Sequence, residues 1–150
     1  MATNFSEPCN RPNGVKLVRK VKSGSTLVVG KLAKFGGYDD ELDAAGDDDV
    51  LGCFIVTGPG PVGTSYVGNA AGTVTVEVHA LSGGIVPVLV GSSGATRGKQ
   101  ARYTSGAFVD AATAVPAGAT NIPIFGAFTE SGVSGDYVGL AVNYAERIIT

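Results

Sequence analysis

Apolar and polar residues alternate along much of this chain with the period of two that is typical of β-strands. Residues 73–80 give the clearest case, with one apolar and one polar face: Val74, Val76, Val78 and Ala80 against Thr73, Thr75, Glu77 and His79. The pattern predicts a strand with one face in the core and the other in water. It therefore places His79 in solvent.

Similar patterns predict strands along most of the remaining chain. Residues 15–22 alternate apolar side chains with lysines, and residues 26–33 follow after a Ser-Gly-Ser turn, so the two segments are expected to pair as a hairpin. Further strands are predicted at residues 51–57, 85–90, 101–103, 107–109, 122–129 and 136–143. Pro87 cannot donate a hydrogen bond, which predicts an edge strand or a bulge there. The fold class is all-β: a small β-barrel or sandwich of roughly eight to ten short strands.

Two segments depart from this pattern. Residues 1–14 hold two prolines and Phe5 as their one large apolar residue, which predicts an extended N-terminal arm in front of a single β domain at residues 15–150. Residues 39–49 form an acidic loop insert. The pattern of residues 38–45 also admits one or two helical turns capped by Asp39 or Asp40.

Composition supports turns and strands over helices, because 23 of the 150 residues are glycine and only 16% are charged. The chain shows neither a charged-then-apolar leader nor an apolar run approaching about 18 residues. We therefore expect a soluble protein that is made in a cytoplasm and has no contact with membrane.

Charge is strongly segregated along the chain. Residues 1–38 carry seven basic residues and one acidic residue, whereas residues 39–49 carry seven acidic residues and no basic one. A basic segment can bind nucleic acid, an acidic protein surface or the chain's own acidic loop. Nucleic acid is disfavoured because no aromatic residues are interleaved with the basic ones and no known binding module is present.

Two glycine-rich segments resemble nucleotide-binding motifs but lack what the chemistry requires. Residues 58–63 fit the pattern G-x-G-x-x-G, yet two prolines remove backbone amides and no helical pattern follows. Residues 91–100 contain Gly98-Lys99, but a phosphate loop needs glycine at position 93 and a hydroxyl at position 100, which hold Ser93 and Gln100. Neither segment predicts a cofactor site.

Catalytic and metal-binding groups are equally sparse. His79 is the single histidine, no G-x-S-x-G elbow occurs, and the two cysteines and one histidine lack the spacing of a zinc site. The acidic run lacks the spacing and the glycine of a hand-type calcium loop. We therefore expect no enzymatic activity, no cofactor and no metal.

The second half of the chain resembles the capsid cement, or head-decoration, proteins of tailed bacteriophages. The resemblance covers about residues 84–143 and is carried by four segments: GIVPVLVG at 84–91, GATRGK at 94–99, IFGAF at 124–128 and GDYVGLAV at 135–142. It implies a β-barrel-like protein on the outer surface of an expanded capsid, which it stabilises. The implied partners are the major capsid protein and two further copies in a homotrimer, and the implied location is the virion. The acidic insert at residues 39–49 departs from the family's plan.

From this resemblance and the charge pattern, five residues are predicted to contact the capsid or a neighbouring subunit: Phe5, Arg11, Lys16, Arg19 and Lys20. Arg97 and Lys99 are expected as exposed charges at the tip of a turn. An alternative function is that of another virion or surface β module that binds a receptor or glycan. Its candidate contact residues are Tyr66 and Tyr103. A second alternative, a nucleotide enzyme, would depend on the incomplete motifs above.

Overall fold

A computed structural model describes residues 16–47, 52–111 and 121–148. Every element of regular secondary structure named within these ranges is a β-strand. The twelve strands are β1 Lys16–Val21, β2 Thr26–Val28, β3 Leu32–Phe35, β4 Glu41–Ala44, β5 Gly52–Gly58, β6 Ser65–Val67, β7 Thr75–Ala80, β8 Ser82–Leu89, β9 Gln100–Thr104, β10 Ala107–Asp110, β11 Asn121–Phe128 and β12 Tyr137–Ile148. The predicted all-β fold is confirmed, with more strands than the pattern indicated.

Five strands close into a barrel in the order β1-β4-β3-β5-β7. β1 closes it, pairing parallel with β4 and antiparallel with β7. Alternate residues of these strands point inward and are buried, as period-two alternation requires. The barrel core contains Val21, Ala33, Leu42, Phe54, Val56, Val76 and Val78. A two-stranded ribbon of β2 and β6 adds Leu27 to the same cluster.

The remaining strands form an antiparallel sheet in the order β10-β9-β11-β12-β8. Its two edge strands approach each other, since Val90 at the end of β8 bridges to Phe108 in β10. The sheet therefore curls around its own core, in which the Phe108 ring packs edge-on against Phe125 and Tyr103. Pro87 is exposed on edge strand β8, as predicted.

The barrel and the curled sheet share one row of buried side chains. Leu32 in β3 is paired with Ile55 in β5, and Ile55 with His79 in β7. Leu32 and Ile55 belong to the core of the curled sheet, not to that of the barrel. Because register partners lie on the same face, His79 shares this covered outer row. It is 0% exposed, so the prediction of a solvent-facing histidine is wrong.

Two local predictions are also wrong. Residues 15–33 do not form a hairpin, because the chain turns at Gly30, whose φ is +101°, and the predicted second strand becomes β2 and β3. β2 pairs with β6 and β3 with β4 and β5. The acidic segment does not form the helical turns predicted at residues 38–45. Its residues 41–44 are strand β4, because Leu42 alternates with two acidic neighbours and is buried in the barrel.

Candidate functional site

Three of the five predicted contact residues lie in the first strand of the barrel. Lys16, Arg19 and Lys20 all lie in β1, while Phe5 and Arg11 lie outside the described residues. The Arg19 guanidinium donates a 3.0 Å hydrogen bond to the carbonyl oxygen of Val18. The exposed side chain of Val18 lies on the same face of β1 as Lys20, and Arg19 lies on the opposite face. The outer face of β1 therefore offers both positive charge and apolar surface.

The parallel pairing of β1 with β4 brings the basic segment beside the acidic one. Lys20 Nζ lies 3.2 Å from Asp40 Oδ2, and Lys22 Nζ lies 3.4 Å from Asp43 Oδ2. For these two lysines, the chain's own acidic segment is the partner, one of the three possibilities that the charge pattern left open. Such solvent-exposed pairs contribute little to stability, typically about 0–1 kcal/mol. They do position the start of β4 against β1.

Asp43 is the best-anchored carboxylate of the acidic segment. Partial burial would raise its pKa, but a 2.6 Å hydrogen bond from Ser25 Oγ, a bond from the Ala44 amide and the nearby Lys22 together hold the pKa below the ordinary value of 3.8. The carboxylate therefore stays ionised at neutral pH and holds residues from β4 and the turn before β2 together.

Exposed apolar side chains concentrate at one end of the barrel. Phe35 ends β3, and Tyr38 lies in the turn to β4. Lys20 N donates to Asp40 O, so the parallel register places Val18, two residues earlier in β1, at this same end. The sequence predictions missed Phe35 and Tyr38. The signal was present as two aromatic residues around a Gly-Gly pair in a predicted turn.

Residues 91–99 resemble a phosphate loop, but most of their backbone amides already donate hydrogen bonds within the fold. The residues whose amides donate are Gly91, Gly94, Ala95, Thr96, Arg97, Gly98 and Lys99. Thr96, for example, donates from both its amide and its hydroxyl to the Asp110 carboxylate, at 2.8 and 2.6 Å. A phosphate cradle needs several free amides that converge on one point, so this segment does not form one. Arg97 and Lys99 are exposed, as predicted.

The second nucleotide-like motif, residues 58–63, leads into strand β6 and not into a helix. The amide of Gly60 donates a 2.6 Å hydrogen bond to the Tyr66 hydroxyl. The space over Gly60 is filled, since a Cβ there would lie 2.8 Å from that hydroxyl oxygen and from Thr64 Oγ1. The motif is a packed turn.

The buried titratable groups serve the fold. His79 Nδ1 lies 2.7 Å from the carbonyl oxygen of Ala80. Burial raises the pKa of Tyr103 to about 12. A hydrogen bond with the Leu32 backbone works against this increase, and nearby Asp47 adds to it. Because Tyr103 is 2% exposed, its ring cannot stack on a glycan, which weakens the alternative that relied on it. Tyr66, the other candidate, is half-buried.

Metal-binding clusters, membrane-spanning helices and grooves are the remaining kinds of site to consider among the described residues. Within the described ranges, no three His, Cys, Asp or Glu residues lie close enough together to bind a metal ion, and no helix is long and apolar enough to cross a membrane. An open groove of about 270 Å³ runs over the β11–β12 pair. Its lining is small or amide-bearing: Gln100, Ile124, Gly126, Ala127, Ala141, Asn143 and Ala145.

Comparison with known proteins finds structural similarity without a match in sequence family. No family model matches this chain, and no curated protein matches it. Among solved structures, the chain is similar to the head fiber gp8.5 N base of bacteriophage phi29, with a TM-score of 0.54 and 16% sequence identity. The superposition covers 87% of this chain and 94% of that one. At this identity the likeness establishes a shared fold, and a shared fold alone does not establish function.

Proposed function

We propose that this chain is a structural virion protein that binds the outer surface of an expanded phage capsid as a trimer and stabilises the shell. The observation that carries the proposal is the likeness to a phage head fiber base over almost the full length of both chains. The sequence resemblance of residues 84–143 to capsid cement proteins supports the same location, and it relies on residue patterns and not on the fold comparison. The backbone amides of residues 91–99 that already donate hydrogen bonds within the fold also favour a structural role.

Binding to the assembled shell would stabilise it by mass action, since a ligand that binds only the assembled state shifts the equilibrium towards that state. A trimer would present three N-terminal segments at once, so that modest individual contacts gain strength through effective concentration. Phe5 and Arg11 in that segment, with Lys16 and Arg19 in β1, are the proposed contacts. Lys20 would contribute less directly, because its ammonium group already meets Asp40.

Co-sedimentation with expanded capsids that lack this protein tests the proposal. We expect saturable binding, a capsid that withstands a higher temperature once bound, and a trimeric mass for the free protein by light scattering. Deletion of residues 1–14 should weaken binding while the circular dichroism spectrum stays β-rich. An absence of binding at saturating concentration would contradict the proposed function.

The deletion separates two parts of the proposal. If the shortened chain binds capsids as tightly as the full chain, the assignment of Phe5 and Arg11 as contacts is wrong while the capsid-binding function stands. A shortened chain that is monomeric and binds weakly would place those residues in trimer formation. A glycan-retention assay on the full chain tests the alternative surface-module function.

A further inference from the structure

The turn between β3 and β4 presents an exposed aromatic side chain at the end of the barrel. We call residues 35–40 the barrel tip. Tyr38 is 73% exposed and Phe35 is 49% exposed, and Val18 on neighbouring β1 is 60% exposed. Large apolar side chains at this exposure cost solvation free energy in the isolated protein. Tyrosine is one of the residue types that are enriched among the residues contributing most to binding at protein interfaces.

The barrel tip is held in shape by its own hydrogen bonds. Gly36 N donates to Glu41 O at 2.9 Å, and Gly37 N donates to Glu41 Oε1 at 2.9 Å. Glu41 N donates in turn to Tyr38 O. The Phe35 ring packs edge-on against Phe54, with 5.5 Å between ring centroids, and Phe54 belongs to the barrel core. The turn is therefore pre-organised, which lowers the entropy lost when a partner binds.

The charge of the barrel tip selects the chemistry of its partner. Asp39 and Asp40, both exposed, directly follow Tyr38. Asp40 is paired with Lys20, whereas Asp39 has no ion-pair partner in the part of the chain that the structure describes. The tip thus combines an exposed aromatic side chain with a carboxylate that pairs with no described basic residue. A surface complementary to it offers an apolar pocket with a basic side chain at the edge.

We propose that the barrel tip inserts Tyr38 into an apolar pocket on the capsid surface, with Asp39 facing an arginine or lysine at the rim of that pocket. This inference rests on the proposed function, because it assigns the partner to the capsid protein. It adds a contact that lies within the described barrel, separate from the N-terminal segment. Strand β1, which follows the N-terminal segment in the chain, begins at the same end of the barrel as the tip.

Capsid co-sedimentation of three variants tests this assignment. Tyr38→Ser should weaken binding at least about tenfold, as expected for an anchor residue. Asp39→Asn should weaken it about threefold in dilute salt, and this difference should shrink as salt screens the charge. Val133→Ser is the matched control, because Val133 is 70% exposed in the turn between β11 and β12 and should leave binding unchanged. All three sites are exposed, so the variants should keep the circular dichroism spectrum of the parent.

Each other result overturns the assignment. If the parent binds capsids and Tyr38→Ser binds equally well, the barrel tip is not the anchor, although the proposed function stands. If Tyr38→Ser changes the oligomeric mass and not capsid binding, a second copy occupies the tip. If deletion of residues 1–14 speeds the nitration of Tyr38 by tetranitromethane, the chain's own N-terminal segment covers it. A parent protein that does not bind capsids removes the proposed function and this inference with it.

Discussion

At the scale of single residues, Asp43 is the acidic residue that connects its segment to neighbouring parts of the fold. This carboxylate accepts hydrogen bonds from the Ser25 hydroxyl and the Ala44 amide and lies beside Lys22. Six other acidic residues at positions 39–49 made the segment look like a solvated loop. The individual role of Asp43 follows only from its place in β4, next to the turn that carries Ser25.

Replacing Asp43 by Asn should lower the free energy of unfolding by about 1–2 kcal/mol at neutral pH, because hydrogen bonds to a charged acceptor are lost. The folded-state pKa lies below 3.8, so the carboxylate's contribution is present above that value and is lost as pH falls through the folded pKa. Urea unfolding of parent and variant should therefore converge in strong acid. Asp39→Asn, at an exposed position, is the control and should change the unfolding free energy little. A difference that persists in strong acid would contradict this account.

Tyr103 should make stability fall in alkaline solution. Burial raises its pKa from 10.0 to about 12, so its contribution is complete below about pH 10 and is lost as pH rises through 12. Tyr103→Phe should cost about 1 kcal/mol at neutral pH, because the hydrogen bond between Tyr103 and the Leu32 backbone is lost. The variant should also lose the part of the alkaline decline that Tyr103 causes, measured as unfolding free energy against pH. Exposed Tyr38→Phe is the control, and an equal decline in parent and Tyr103→Phe would contradict the prediction.

At the scale of elements, the sequence predicts strands well where alternation and turn signals agree. The strands predicted at residues 101–103, 107–109, 122–129 and 136–143 are confirmed as β9 to β12, and each consecutive pair is antiparallel: β9 with β10 and β11 with β12. Errors arose where pairing is non-local. β1 looked like the partner of the next segment but pairs with β4 and β7, and nothing within residues 15–33 encodes that choice. His79 was misplaced for the same reason, because the element that covers its face is distant in sequence.

Gly126 sets the irregular register between β11 and β12. Its φ is +144°, and a Cβ there would lie 2.0 Å from the carbonyl oxygen of Ala141, where the strand pairing shifts. Gly126→Ala should therefore cost about 3 kcal/mol or more in unfolding free energy, from backbone strain and displacement of β12. Gly98→Ala is the matched control, because its φ is +84° with open space around it. Gly98→Ala should lower the free energy of unfolding by only about 1 kcal/mol. Equal losses for the two variants would mean that the chain relieves the close approach at Gly126 without loss of stability.

At the scale of the whole molecule, the barrel and the curled sheet are joined through the outer row of β3 and β5. Leu32 and Ile55 leave the barrel core and enter the core of the sheet. Two further bonds cross the same boundary: Leu89 N donates to Gly30 O, and Ser105 N donates to Asp47 Oδ1 at 2.6 Å. The single domain expected at residues 15–150 stays a prediction. These contacts would also hold the barrel tip and the curled sheet in a fixed relation on a capsid.

Because Ile55 in barrel strand β5 packs into the core of the curled sheet, we predict that its substitution destabilises both the barrel and the sheet. Ile55→Ala removes a fully buried side chain and should cost about 2–5 kcal/mol. Because Ile55 packs into the sheet core, hydrogen exchange should accelerate in β11 and β12 as well as in β5. Val76→Ala is the matched control, since Val76 is buried within the barrel cluster alone, and its effect on β11 and β12 should be smaller at equal loss of stability. If the amides of β11 and β12 keep full protection in Ile55→Ala, the two parts unfold independently, and the sheet would then place no constraint on the proposed binding face at the barrel tip.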